Sequence, residues 1–221
     1  MTSDTENIFL FANGDLPAPE AIRALIGEDD TLIAVDGGLK YLTALGLVPD
    51  LVIGDLDSAD PDKLSRLEKQ GVEIRRFPAQ KDETDLELAL NAALKLNPAS
   101  IRVIAALGGR LDQTLANIFL LSKTKFLETD IRLIDGTQEV FLIRDDAEIK
   151  GQPGQRVSLL PLLGAVEGIR TTGLQYPLNA ETLYPDQTRG ISNVMNAETA
   201  AVRITHGLLL CIHETTPQTN P

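Results

Sequence analysis

Short apolar runs rich in Ile, Val and Leu recur through the first 136 residues with longer helix-patterned segments between them, and few folds satisfy that rhythm. The runs are Ile8–Ala12, Thr31–Val35, Leu51–Ile53, Val72–Phe77, Ile101–Leu107 and Ile131–Ile134. Helix punctuation lies between them. Asp60-Pro61 caps and starts one helix, which Gly71 stops. Thr84 and Glu87 have capping-box spacing and open a Leu/Ala-rich helix to about Leu96. A further apolar helix is predicted from about Asp112 to Phe126. Alternating strands and helices predict an α/β domain over residues 1–137, with a mostly parallel sheet and flanking helices.

After about residue 137 the texture changes. Val140–Ile143, Arg156–Pro161, Ala165–Arg170, Val202–Thr205 and Leu208–His213 read as strands separated by Gly, Pro and Asn turns, with no long helix. Residues 138–221 are predicted to form a smaller antiparallel β-domain that ends in a frayed tail, ETTPQTNP.

Hydrophobic residues make up 43% of the chain and aromatic residues 4%, with no Trp, so aliphatic side chains must fill the core. The net charge of −12 repels phosphate backbones and anionic lipid, which argues against nucleic acid or a membrane surface as partner. A nucleotide remains compatible when magnesium bridges it to the acids. Cys211 is the sole cysteine, which rules out an intrachain disulfide and a multi-cysteine zinc site. The polar start MTSDTEN lacks the pattern of a signal peptide, and no apolar run approaches the ~20 residues that span a bilayer, so a cytoplasmic location is expected.

Four predicted strand ends carry candidate chemistry. Leu51-Val-Ile-Gly54-Asp55-Leu-Asp57-Ser58 ends a strand with two aspartates, whose carboxylates share one face if the strand continues. Close carboxylates repel unless a cation intervenes, and hard oxygen ligands at a strand end suit Mg²⁺. An Asp-rich turn leading into a helix cap is the competing reading. In Lys81-Asp82-Glu83-Thr84-Asp85, the last acid sits in a first helical turn, where the macrodipole favours it. Lys81 reads either as a phosphate contact or as a solvated lysine. Gly108-Gly109-Arg110-Leu-Asp112-Gln113 again follows a strand and opens a helix. Its glycines let backbone approach an anion, and Arg110 offers a planar fork. Asp36-Gly37-Gly38 repeats the strand-end pattern. Taken together, these turns point to a nucleotide–magnesium site at the ligand-binding edge of an open α/β sheet. The two histidines, His206 and His213, lie in the β-domain and supply no nucleophilic triad.

In this order, VDGG (35–38), PDLVIGDLDS (49–58), KDETDLELAL (81–90) and GGRLDQTLAN (108–117) resemble the thiamine pyrophosphokinase family, as do GLQYPL (173–178) and GISN (190–193). The resemblance spans about Asn7 to Ile212. It implies a nucleotide-binding catalytic α/β domain followed by a β-sandwich for thiamine binding and dimerisation. It further implies a homodimer that transfers the pyrophosphoryl group of Mg-ATP to the hydroxyethyl oxygen of thiamine, giving thiamine diphosphate and AMP. By the same resemblance, Asp55, Asp57 and Asp85 would hold magnesium and join Arg110 in catalysis. Asp36, Gly37, Gly38, Lys81, Asp82, Thr84, Gly108, Gly109, Arg110, Asp112 and Gln113 would line the nucleotide side. Ser192 and Asn193 would contact thiamine.

Two positions depart from the family's pattern. Gln113 stands where the family usually carries His, and it donates a hydrogen bond without titrating. Val194 stands where the family tends to carry an acid, although thiamine is a cation. These departures leave open a related acceptor, such as a pterin-type alcohol, or a catalytically silent thiamine- or nucleotide-binding regulator. The three expected magnesium acids are all present.

Overall fold

The computed structural model describes residues 7–57 and 59–215. Ser58 of the expected GDLDS turn and most of the expected tail lie outside the described residues. The chain divides into two compact units, one ending at Gly136 and the next beginning at Thr137.

The first unit alternates strand and helix: β1 (Asn7–Phe11), α1 (Pro19–Arg23), β2 (Thr31–Val35), α2 (Leu39–Ala44), β3 (Leu51–Gly54), α3 (Pro61–Lys69), β4 (Glu73–Arg76), α4 (Asp85–Leu94), β5 (Ser100–Ile104), α5 (Leu111–Leu120) and β6 (Asp130–Ile134). Every pairing among these strands is parallel, and they run in the order β6-β5-β1-β2-β3-β4. β1 pairs with both β2 and β5, Ile8 lying beside Thr31 and Ile101. The inner strands are buried at all but one position each in β1, β2 and β5 and throughout in β3, whereas the edge strand β4, EIRR, is largely polar. Its Val72 and Phe77, at the ends of the expected run, fall just outside the strand.

Local chemistry places the helix starts. Asp60 caps α3 by accepting the Asp62 N–H at 3.0 Å, with Pro61 at the first helical position. Thr84 caps α4 by accepting the Glu87 N–H at 3.2 Å. Glu87 does not complete the reciprocal half of a capping box: its carboxylate accepts from Lys123 at 2.5 Å and Lys125 at 3.4 Å. The same contacts explain why α5 is shorter than predicted. It stops at Leu120, Ser122 Oγ donates back to the Phe119 carbonyl, and a 3-10 turn over Thr124–Phe126 buries Phe126. α4 contacts β1, β2 and β3, turning Leu86, Ala89, Leu90 and Ala93 inward.

The second unit comprises β7 (Gln138–Ile143), β8 (Asp146–Lys150), β9 (Arg156–Pro161), β10 (Val166–Thr172), β11 (Asn179–Leu183), β12 (Asn193–Val194), β13 (Thr199–Arg203) and β14 (Leu209–Glu214). They form two antiparallel sheets, β12-β9-β14-β7 and β11-β10-β13-β8. Phe141, Val157, Leu159 and Cys211 from one sheet meet Ile149, Val166, Ile169 and Val202 from the other in a single buried cluster. That is the sandwich the resemblance implied. β8, β11 and the two-residue β12 were not anticipated, and β13 begins three residues before the expected Val202 and ends at Arg203. β8 and β11 are edge strands of the second sheet, and each buries a single residue, Ile149 or Leu183. Glu214 and Thr215, expected in the tail, belong to the fold instead: Glu214 closes β14, and the Thr215 N–H bonds the Thr137 carbonyl at 2.8 Å.

Leu90 is fully buried beneath the parallel sheet's helical cover. Leu90→Ala is expected to destabilise this unit by about 2–5 kcal/mol, read as a lower urea midpoint in far-ultraviolet circular dichroism. An unchanged midpoint would show that α4 does not seal the core.

Candidate active site

Because the strands of the first unit are parallel, the loops leaving their carboxyl ends share one edge. They enclose a cleft of about 500 Å³ where β1 meets both β2 and β5. This is the position at which strand order reverses, where open α/β sheets bind ligands.

Each loop is bent by a local conformational device. After β2, Asp36 adopts φ +48° and opens a 3-10 turn, Asp36–Gly38. A Cβ on Gly38 would overlap the Phe11 carbonyl oxygen, so only glycine lets this turn close on β1. After β3, Gly54 passes so close to Asp36 that an added Cβ would stand 3.1 Å from its Cα. Leu56 then turns left-handed at φ +55°. The strand therefore does not continue, and the expected sharing of one face by Asp55 and Asp57 fails. Asp55 lines the cleft, whereas Asp57 stays exposed on the rim, donating its N–H to Asp55 Oδ1 at 3.2 Å.

After β5, Ala105 at φ +55° begins a loop that Gly108 (φ +77°) and Gly109 (φ +62°) complete. Asn117 Nδ2 donates to the Ala106 carbonyl at 2.8 Å, and Thr114 Oγ1 to the Gly108 carbonyl at 3.1 Å. From the loop after β1, Asp15 Oδ2 accepts the Gly109 N–H at 2.8 Å. That Asn13-Gly14-Asp15 turn lines the cleft but was not among the expected site residues. An Asn-Gly dipeptide directly after the first strand was the available signal.

The expected nucleotide and metal residues Asp36, Asp55, Lys81, Thr84, Asp85, Gly108, Gly109, Arg110 and Gln113 all line this cleft, along with Asp15, Glu83 and Asn117. Gly37 and Gly38 shape the turn behind it, and Asp57, Asp82 and Asp112 stay on exposed surface. Arg110 and Asp112 bond each other through Nε to Oδ1 at 3.1 Å and through the terminal nitrogen to Oδ2. That bond raises the Arg110 pKa and lowers that of Asp112.

The electrostatics run the other way within. Burial pushes the Asp36 carboxyl above the usual range. The Gly37 N–H opposes this, and the charges of Asp55, Asp85 and Asp57 add to it. Lys81 Nζ stands 3.0 Å from Asp85 Oδ1. Among the described residues, no three Asp, Glu, His or Cys side chains are gathered tightly enough to hold a metal as they stand. The donors still fit a hard divalent ion: all are carboxylate oxygens, and Asp85 Oδ1 is buried without an aligned hydrogen-bond donor.

In the second unit, Ser192 is exposed at φ +58° and donates its N–H to Ser158 Oγ at 3.0 Å. Asn193 is buried, and its amide is spent on backbone. Nδ2 donates to the Tyr176 carbonyl at 2.7 Å, while Oδ1 accepts from the Tyr176 and Val194 N–H groups at 3.0 and 2.9 Å. Its role is to hold the Tyr176 turn and the Ser192 turn together. His213 is buried between Glu139 and Gln155, and His206 is exposed.

Residues 22–134 match the family description "Thiamin pyrophosphokinase, catalytic domain", and residues 145–209 match "Thiamin pyrophosphokinase, vitamin B1 binding domain". Thiamine pyrophosphokinase of Bacillus subtilis (strain 168) is 32% identical over 191 residues, covering 85% of this chain and 89% of the relative. Thiamine pyrophosphokinase 1 of Oryza sativa subsp. japonica is 30% identical over 168 residues, 71% of this chain and 62% of the relative. The crystal structure of the Bacillus subtilis protein has a TM-score of 0.85 at 29% identity, covering 96% of this chain and all, 100%, of its own. Yeast thiamin pyrophosphokinase, at 19% identity and a TM-score of 0.75 over 97% of this chain and 88% of its own, shares the fold. This chain belongs to the thiamine pyrophosphokinase family.

Proposed function

We propose that the protein transfers the pyrophosphoryl group of Mg-ATP to thiamine. The hydroxyethyl oxygen bonds the β-phosphorus, the bond from that phosphorus to the α–β bridging oxygen breaks, AMP departs with that oxygen, and the hydroxyl proton is lost.

The observation that carries this reading is the charge inventory of the cleft. Five carboxylates, Asp15, Asp36, Asp55, Glu83 and Asp85, face two cations, Lys81 and Arg110. Such a site rejects a bare triphosphate and admits one that brings divalent ions. Asp55 and Asp85, with Asp36 lining the same cleft and Asp57 on its rim, would hold magnesium, which would screen the phosphates and stabilise charge on the transferring group. The start of α5 would present N–H groups to phosphate, and Lys81 and Arg110, which line the same cleft, would supply its positive partners. Gln113 offers a hydrogen bond at the α5 entrance. The sandwich unit would receive thiamine beside Ser192, with Asn193 positioning the turn.

Homodimerisation belongs to the same proposal. Leu111, Leu115 and Phe119 recur at helical spacing on α5 and are all exposed, an unusual apolar stripe for a chain this acidic. No helix among the described residues is long and apolar enough to cross a membrane, and we place the protein in the cytoplasm, where ATP is available.

Incubation with ATP, Mg²⁺ and thiamine is expected to yield AMP and thiamine diphosphate in equal amounts, with EDTA abolishing both. AMP formed with a pterin alcohol in preference to thiamine would reassign the acceptor, and ligand binding without AMP would make the protein a regulator. Asp55→Asn is expected to lower kcat about 100-fold or more with the circular dichroism spectrum unchanged; near-normal turnover would remove Asp55 from the metal site. Leu115→Glu is expected to convert the dimer to monomer in light scattering, and a dimer that persists would place the interface elsewhere.

A further inference from the structure

The Lys81–Asp85 ion pair differs from the others around the cleft. Its side chains are 13% and 25% exposed, against 72% and 65% for Arg110 and Asp112 on the rim. Exposed pairs are screened and hold their partners weakly, while a shielded pair holds them firmly. Yet the geometry is poor. Lys81 Nζ directs a hydrogen bond at the Pro78 carbonyl, 3.0 Å away. Its 3.0 Å approach to Asp85 Oδ1 is not an aligned hydrogen bond, and that oxygen, closed to solvent, accepts from no donor. A carboxylate oxygen neutralised by charge alone is poised for a cation with better coordination. Asp36 and Asp55 line the same cleft, so a second positive charge delivered there meets further oxygen donors.

We propose that Lys81 is an internal placeholder for the divalent ion. In the ligand-free protein its ammonium neutralises Asp85. When the ion arrives with a triphosphate, the ion takes Asp85 and the ammonium is released to the phosphate oxygens. This rests on the Mg-ATP reading of the cleft. The physical consequence is coupling between metal and nucleotide. A free ion must displace a cation that then has no anion to receive it, whereas an ion carried by ATP brings that anion along. The acids thus recognise the metal–nucleotide complex while holding free metal weakly, and Lys81 is the positioning residue that sets the difference.

The test compares wild type, Lys81→Gln and Lys81→Arg by calorimetric titration with Mg²⁺ alone, and by thermal unfolding in EDTA, in Mg²⁺, and in Mg²⁺ with a non-hydrolysable ATP analogue. Lys81→Gln is expected to bind free Mg²⁺ about tenfold more tightly than wild type, and to bind the Mg²⁺–analogue complex more weakly. Lys81→Arg, which keeps the charge, is expected to retain weak free-ion binding. Equal free-ion affinity in wild type and Lys81→Gln overturns the placeholder, provided that the Mg²⁺–analogue complex still raises the wild-type melting temperature. If that complex fails to stabilise wild type, the reading of the cleft falls and the placeholder falls with it. Should Lys81→Gln not fold, Lys81→Arg decides the matter, since free-ion binding tighter than wild type in that variant overturns the proposal.

Discussion

Like charge crowded onto one edge of a parallel sheet is the constraint on which the first unit turns. β1, β2, β3 and β5 run in the same direction, so the loops after them emerge together and carry Asp15, Asp36 and Asp55 to one cleft. α4 adds Asp85 from its first turn. The assembly stands because its neighbours compensate it: the Gly37 N–H at Asp36, Lys81 at Asp85, and the α4 N-terminus behind that acid. Hydrophobic burial is supplied elsewhere, by the apolar residues of the inner strands and by α4, which leaves the loops free to hold an arrangement that opposes folding.

The backbone records that opposition. Asp36, Leu56 and Ala105 are non-glycine residues with positive φ, and each lies just past a strand whose loop feeds the cleft. Conformations of this kind cost about 1–3 kcal/mol each and persist where surrounding structure enforces them. Here the enforcement is visible. The Gly14 N–H bonds the Ala105 carbonyl at 2.6 Å and the Asp15 N–H bonds the Leu107 carbonyl at 2.9 Å, tying the loop after β1 to the loop after β5. Gly54 allows the loop after β3 to lie against Asp36. The acids reach the cleft because the strands end abruptly.

That same abruptness sets what could be read in the amino-acid sequence. Strand and helix identity in the first unit was legible because apolar periodicity and caps such as Asp60-Pro61 and Thr84 act over a few residues. The end of α5 was not, because Lys123 and Lys125 are drawn to Glu87 across the fold. Nor was the divergence of Asp55 and Asp57, since nothing in Leu56 announces a left-handed conformation. The role of Asp15 has no local signature, because it lies in a bond to Gly109, far along the chain. In the sandwich, β8 and β11 were obscured for another reason: an edge strand that buries one side chain leaves almost no periodic signal. The inward turn of Asn193 follows from the Tyr176 backbone it serves, which no local pattern displays.

The two departures from the family's pattern acquire physical meaning from their positions. Gln113 lines the cleft in the first turn of α5, so a neutral amide donor stands at that helix entrance, and any proton accepted from the substrate hydroxyl must go to another group. Val194 pairs with Arg156 across β12 and β9. An acid at 194 would stand opposite that guanidinium and compete for it; with valine there, Arg156 bonds Glu214 at 3.0 Å instead. The guanidinium in register with Val194 thus has an acidic partner within the sandwich. On the proposed reading, in which a cationic acceptor binds beside the Ser192 turn, the groups offered to it are that unit's exposed aromatic and polar side chains, Tyr176 foremost, whose backbone Asn193 holds in place.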